Sequence, residues 1–186
     1  MIIVKPHSGL SNRMRCIESS YKLSKILDTS LLVKWNRSPY LNCSFGDLFK
    51  NPGLFSVQET GFSNIRDNGR IDKALNIYLR IPFYKLVNYT TFHNKEVKLI
   101  NKRTISNLKS NGNIYINSGE DFLTDMKWNN IFQPINEIQS QIAKYSNSFH
   151  SYTYGVHIRR GDNVKSIRKS PISLFFNKMD LILSKT

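Results

Sequence analysis

The sequence predicts an α/β protein built on a parallel sheet, and three observations carry that expectation. A short apolar run, Ile2-Ile3-Val4, precedes a loop and a segment with helical periodicity. A second apolar run, Leu31-Leu32-Val33-Lys34-Trp35, follows that segment directly. Far along the chain, Tyr154-Gly155-Val156-His157-Ile158-Arg159-Arg160-Gly161-Asp162 reads as a further strand that ends in two arginines. Strand, loop, helix and strand make a βαβ unit, whose strands run parallel with a right-handed crossover.

Each element has its own signal. Ile2-Ile3-Val4 is apolar throughout, as a strand buried on both faces must be. Lys5 to Ser11 is a loop holding Pro6 and Gly9, and Ser11 or Asn12 is expected to cap the helix that follows. In that helix, Met14, Ile17, Tyr21 and Ser24 form one row at helical spacing, and Cys16, Ser20, Leu23 and Leu27 form a second. Residues 36–111 carry weaker signals: a Phe45, Leu48 and Phe49 cluster, an Asn51-Pro52-Gly53 turn, and helical spacing from Leu75 to Val87 interrupted by Pro82. After the turn at Asn111-Gly112-Asn113, Ile114-Tyr115-Ile116 reads as a strand. Ile135, Ile138, Ile142 and Tyr145 mark one face of a short helix, and Asn147 to Tyr152 is a polar connector. Ser170 and Pro171 are expected to open a last helix, as cap and first turn, with Phe175, Met179 and Ile182 on its apolar face.

Composition narrows the function classes. With 40% hydrophobic and 12% aromatic residues, 186 residues suffice for a sizeable core, which sets the expectation at one domain or slightly more. The formal net charge of +14 asks for a polyanionic partner such as nucleic acid, an anionic membrane surface or a nucleotide diphosphate. The charge is spread from Lys22 through Lys102 and Arg103 to Lys185, which reads as solvated surface and not as a nucleic-acid footprint. Cys16 and Cys43 are expected to be free thiols, and no Cys/His cluster suggests a metal. No charged-then-apolar leader precedes the first strand, so no secretory signal is expected. The triplets at Asn36, Asn42 and Asn88 match glycosylation acceptors, and an Asn- and Ser-rich chain supplies such matches by chance.

Two constellations could carry chemistry. Gly9-Leu10-Ser11-Asn12-Arg13 lies between the first strand and first helix, where a glycine admits a ligand close to the backbone and the helix amino terminus offers N–H donors. It is neither a P-loop nor a dinucleotide fingerprint, and an ordinary helix cap has the same composition. The second is His157-Ile158-Arg159-Arg160-Gly161-Asp162. Arginines at a strand's carboxyl end suit phosphate or diphosphate, since each guanidinium donates paired hydrogen bonds. Arginines paired with surface carboxylates, and a satisfied core histidine at His157, are the structural alternatives.

Together, Gly9-Leu10-Ser11-Asn12-Arg13-Met14-Arg15 and the later His157-Ile158-Arg159-Arg160-Gly161-Asp162 resemble GDP-fucose-dependent fucosyltransferases. They are similar to the α-1,2 and α-1,6 enzymes that carry an H-x-R-R-x-D motif, including bacterial nodulation-type enzymes. Trp35 and Phe45-Gly46-Asp47-Leu48-Phe49 sit where the resemblance puts them. The resemblance implies a GT-B architecture of two Rossmann-like halves, with GDP-fucose in the cleft and an oligosaccharide or glycan as acceptor. It implies metal-free transfer with inversion, in keeping with the lack of an Asp-x-Asp clamp in the sequence. With the positive charge, it sets the expectation of a cytoplasmic protein. Arg159 would bind the β-phosphate and stabilise departing GDP. Arg160 would assist, His157 would line the nucleotide pocket, and Gly9, Ser11 and Asn12 would approach the donor from the first domain. Asp162 is the candidate base, or else orients an arginine. In the α-1,6 enzymes a further acid follows the motif, where this chain has Val164-Lys165-Ser166-Ile167.

One loop and one helix follow Asp162, too little for a second Rossmann-like half. The expected organisation is therefore a Rossmann-like N-terminal domain over residues 1–150, on the acceptor side, and the first strand and helix of an incomplete donor-binding domain over residues 151–186. Such a chain could be truncated and could self-associate through the last helix's apolar face, or sit peripherally at a membrane. Two other readings stay open: a non-catalytic remnant that binds a nucleotide sugar, phosphate or glycan, and a basic nucleic-acid-binding protein.

Overall fold

A computed structural model of the chain describes residues 1–60, 89–109, 112–123, 131–158 and 168–184. They divide into two compact units, Met1–Gln139 and Ser140–Thr186. The expected helix from Leu75 to Val87 lies outside the described residues.

The first unit contains β1 (Ile2–Pro6), α1 (Leu10–Ile26), β2 (Leu31–Asn36), β3 (Ser56–Thr60), β4 (Tyr89–His93), a 3₁₀ helix (Asn94–Leu99), α2 (Lys102–Lys109) and β5 (Asn113–Ser118). The strands form one five-stranded sheet in the order β3-β2-β1-β5-β4. Every pairing is parallel: Ile2 pairs with Leu31 and Ile114, Leu32 with Ser56, and Tyr89 with Asn113. This is a Rossmann-like α/β sheet, as the βαβ signal predicts. The central β1 is flanked on both sides, and Ile2 and Val4 are fully buried.

Helix α1 packs on the sheet through Cys16, Ile17 and Leu23, with Ser19, Ser20 and Ser24 also buried. Small hydroxyl residues let the helix lie close: Ser19 Oγ accepts from Phe122 N–H at 3.0 Å, and the other two satisfy their hydroxyls within the helix. Ser20 donates to the Cys16 carbonyl at 2.8 Å and Ser24 to that of Tyr21 at 2.7 Å. The two rows expected from sequence are thus the packing rows. The cap is a correction: Gly9, not Ser11 or Asn12, is the N-cap, and no side chain caps the helix. The turn comes that early because the Gly9 carbonyl already accepts from Asn12 and Arg13 N–H, each at 3.1 Å.

The core continues into an aromatic cluster. Trp35 and Phe45 meet edge-on at 5.4 Å, and Phe45 touches Phe49 and Phe55. The Phe45–Phe49 turn expected from sequence is held by Ser44 and Asp47. Ser44 N–H donates to the Asp47 carboxylate at 2.7 Å, and Asp47 N–H donates to Ser44 Oγ at 3.2 Å. These bonds, with Arg37 adding its charge, hold the Asp47 carboxyl below its ordinary range. At the Asn51-Pro52-Gly53 turn, Gly53 takes φ +63 and donates to Asn51 Oδ1.

The second unit holds most of α3 (Asn136–Ser146) and all of α4 (Ile172–Leu183). Pro171 is the N-cap of α4, one residue later than the expected Ser170. Phe175 and Ile182 of the expected apolar face are half-buried, whereas Met179 is exposed. The strand expected from Tyr154 is a further correction. Residues 153–158 have no regular structure, and Tyr154 and Val156 are exposed. Alternating side chains make a strand only where a neighbour supplies the ladder, and no strand among the described residues pairs with this one.

Glu18 on α1 is buried with its Oε1 unpartnered. Burial pushes its carboxyl above the ordinary range, and the nearby Lys22 charge offsets part of the rise. A raised folded-state value means that the stabilising protonated form is complete at acid pH and lost as pH rises through that value. Glu18→Gln is therefore expected to stabilise the protein at pH 8, by less than about 1 kcal/mol. Thermal unfolding from pH 8 to pH 4 should show the advantage shrinking toward acid.

Candidate functional site

The registers set Pro6 level with Ser118 and His93 level with Asn117, so the chain leaves β1, β4 and β5 at one end of the sheet. The order β3-β2-β1-β5-β4 reverses between β1 and β5, since β1 leads to β2 on one side while β5 is entered from β4 on the other. A crevice at such a reversal, beyond the strands' carboxyl ends, is where open α/β sheets bind ligands. The segments that stand at that end here are His7–Asn12, Asn94 and Ser118–Glu120.

Three of the sequence-predicted residues lie together in this crevice. Gly9 caps α1 with φ −71, a value open to any residue, and a Cβ there would meet nothing within 4 Å. Its contribution is open space beside the helix amino terminus. Ser11 is exposed, and Asn12 is half-buried with its Oδ1 accepting from Arg15 Nη2 at 2.6 Å. His157 is exposed in the second unit. Arg159, Arg160 and Asp162 lie outside the described residues.

Sequence reasoning quoted Arg13 within the Gly9–Arg13 stretch without a role, and it missed His7, Asn94 and Ser118. Arg13, 1% exposed, is a buried cation beneath it. Its Nε donates to the Ser8 carbonyl at 2.9 Å, Nη1 to the Asn36 carbonyl and Nη2 to Ser38 Oγ at 2.9 Å. The guanidinium also stacks over Trp35, 4.9 Å from the ring centroid. Arg13 thereby ties the loop after β1 to the end of β2, a structural duty that removes it from ligand binding.

The crevice wall is polar. His7 Nε2 lies 2.9 Å from Asn94 Oδ1, and His7 Nδ1 lies 3.0 Å from Ser8 Oγ. Ser118 Oγ donates to the Asn94 carbonyl at 3.0 Å and accepts from Glu120 N–H at 2.9 Å. Ser8 and Asn94 hold positive φ, +71 and +47, uncommon for residues other than glycine. The sequence places Ser8 in the loop after the first strand and gives no sign of the turn at Asn94.

Cysteine chemistry has no part in this site. Cys16 and Cys43 are both free, and burial pushes the Cys16 thiol up to about 12, which keeps it protonated. Among the described residues no group of three or more His, Cys, Asp or Glu could hold a metal ion, and no helix is long and apolar enough to cross a membrane.

No family model matches the sequence, and no curated protein matches it. Among solved structures, the chain shares its fold with a mutant of Arabidopsis thaliana FUT1, a plant fucosyltransferase, in complex with GDP. The TM-score is 0.51 at 13% identity, over 97% of this chain and 48% of that one. The chain spans about half the length of that relative, and the likeness is one of fold.

Three substitutions separate the roles of the crevice residues. Gly9→Ala is expected to leave stability within about 0.5 kcal/mol, because its Cβ enters open space. Gly119→Ala puts a Cβ 3.0 Å from the His7 carbonyl oxygen and should cost about 1–3 kcal/mol. Arg13→Lys keeps the charge and loses the three-way fork, so it should cost about 2 kcal/mol. Urea unfolding of the three variants reads all three values.

Proposed function

We propose that this chain is the acceptor-side half, with the start of the donor-binding half, of a GT-B glycosyltransferase that moves fucose from GDP-fucose to a glycan hydroxyl with inversion. The observation that carries the reading is the fold, shared along almost the whole chain with a GDP-bound plant fucosyltransferase. The His157-x-Arg159-Arg160-x-Asp162 motif agrees with it.

In this reading Arg159 holds the β-phosphate and neutralises charge as GDP departs, so no metal is required. Arg160 supports it, and His157 lines the nucleotide pocket. Gly9, Ser11 and Asn12 bring the open space and N–H donors of the α1 amino terminus to the donor's anionic side. Residues 1–150 act as the acceptor-side domain and residues 151–186 as the beginning of the donor side. The charge of +14 suits a cytoplasmic enzyme working at an anionic membrane surface where glycans are assembled.

Calorimetric titration tests the reading. GDP and GDP-fucose should bind in the micromolar range, with Arg159→Ala weakening both at least tenfold. Binding of any polyanion with a steep salt dependence, unaffected by Arg159→Ala, would support a nucleic-acid-binding protein in its place.

A further inference from the structure

We propose that His7 is the base that takes the proton from the acceptor hydroxyl, held in its working tautomer by Asn94. This rests on the glycosyltransferase reading, and it gives to His7 the proton-accepting role for which the sequence offers Asp162.

The geometry fixes the ring. Asn94 turns its amide oxygen to His7 Nε2 at 2.9 Å. An amide oxygen only accepts, so Nε2 carries the ring proton and Nδ1 keeps its lone pair. The Ser8 hydroxyl lies 3.0 Å from Nδ1 and donates to it, which marks the direction from which a hydroxyl reaches that lone pair. A Cβ on Gly119 would stand 3.2 Å from Ser8 Oγ and 3.3 Å from His7 Nδ1, so any side chain there would crowd the lone pair.

The backbone supports the same arrangement. Ser8 and Asn94, 87 residues from His7 in the case of Asn94, both hold left-handed conformations at the carboxyl ends of β1 and β4. Ser8 is anchored through its carbonyl by buried Arg13, and Asn94 through its carbonyl by Ser118. Two strained turns, each pinned from below, aim a histidine and its orienting amide at one another beside the reversal in strand order. Nothing in the hydrophobic core needs this contact, since His7 is half-buried and Asn94 exposed.

The step balances. The acceptor oxygen bonds to fucose C1 while the C1–O bond to the diphosphate breaks, and its electron pair leaves on the β-phosphate oxygen of GDP. The acceptor hydroxyl takes the place of the Ser8 hydroxyl, which turns away from Nδ1; its proton ends on His7 Nδ1, and the imidazolium keeps its Nε2–H bond to Asn94 until it returns the proton to solvent. His7 is the catalytic residue, and Asn94 is a positioning residue that acts through it.

Long-range proton–nitrogen spectra of the folded chain should show His7 with Nε2 protonated and Nδ1 bare. Asn94→Ala should turn this into a tautomer mixture, and Asn94→Asp should restore it. With water as the acceptor probe, GDP release from GDP-fucose should fall about a hundredfold in His7→Gln, while GDP affinity stays within about twofold of wild type. An Nδ1-protonated His7, or unchanged GDP release in folded His7→Gln, overturns the base assignment alone. Absence of GDP affinity in the folded wild-type chain overturns the glycosyltransferase reading, and the base assignment with it.

Discussion

Arg13 is the residue on which the rest of the crevice depends. A guanidinium that is 1% exposed must have its donors met by the protein, since leaving them unpaired would cost several kcal/mol on the scale of buried charged groups. Its partners come from two places, the Ser8 carbonyl after β1 and the Asn36 carbonyl with Ser38 after β2. Because two of them are main-chain carbonyls at the ends of neighbouring strands, Arg13 fixes the path of both loops at once. Trp35 closes over it and carries the constraint into the aromatic cluster of Phe45, Phe49 and Phe55.

From that clamp the site follows by steps. Ser8 is held at positive φ, which turns the chain sharply from β1 into α1 and leaves Gly9 as an uncapped, open helix start. His7 then faces across the sheet end to Asn94, and Gly119 packs against His7 and Ser8 too closely for a side chain. The result is a wall with hydrogen-bond donors at the helix start and an aromatic base beside them. That pairing suits a reaction in which one partner is an anion and the other a hydroxyl. The proposed transfer from a nucleoside diphosphate sugar has both.

The sequence made some of this legible and hid the rest for physical reasons. β1, α1, β2 and β5 were readable because burial on both faces or on one helical face leaves a periodic apolar record. β3 and β4 were not, since Ser56–Thr60 and Tyr89–His93 are edge strands, mostly polar or half-exposed, with little pattern to read. The helix cap was misplaced by polar residues, Ser11 and Asn12, that sit within the first turn. Alternation over Tyr154–Ile158 suggested a strand where the described residues show none, because alternation says nothing about a partner. Of the site, the Gly9–Asn12 loop could be found from its place between strand and helix. The His7–Asn94 contact could not, because only the sheet order brings residues so distant in sequence to one edge of the crevice.

The most direct test of the account is residue-resolved amide spectroscopy of the chain during titration with GDP-fucose. The account predicts saturable shifts concentrated on Gly9–Arg13 and on His157–Asp162, with the edge of β3 unmoved. Shifts scattered over surface lysines that vanish with added salt, or none at all in a folded sample, would contradict it.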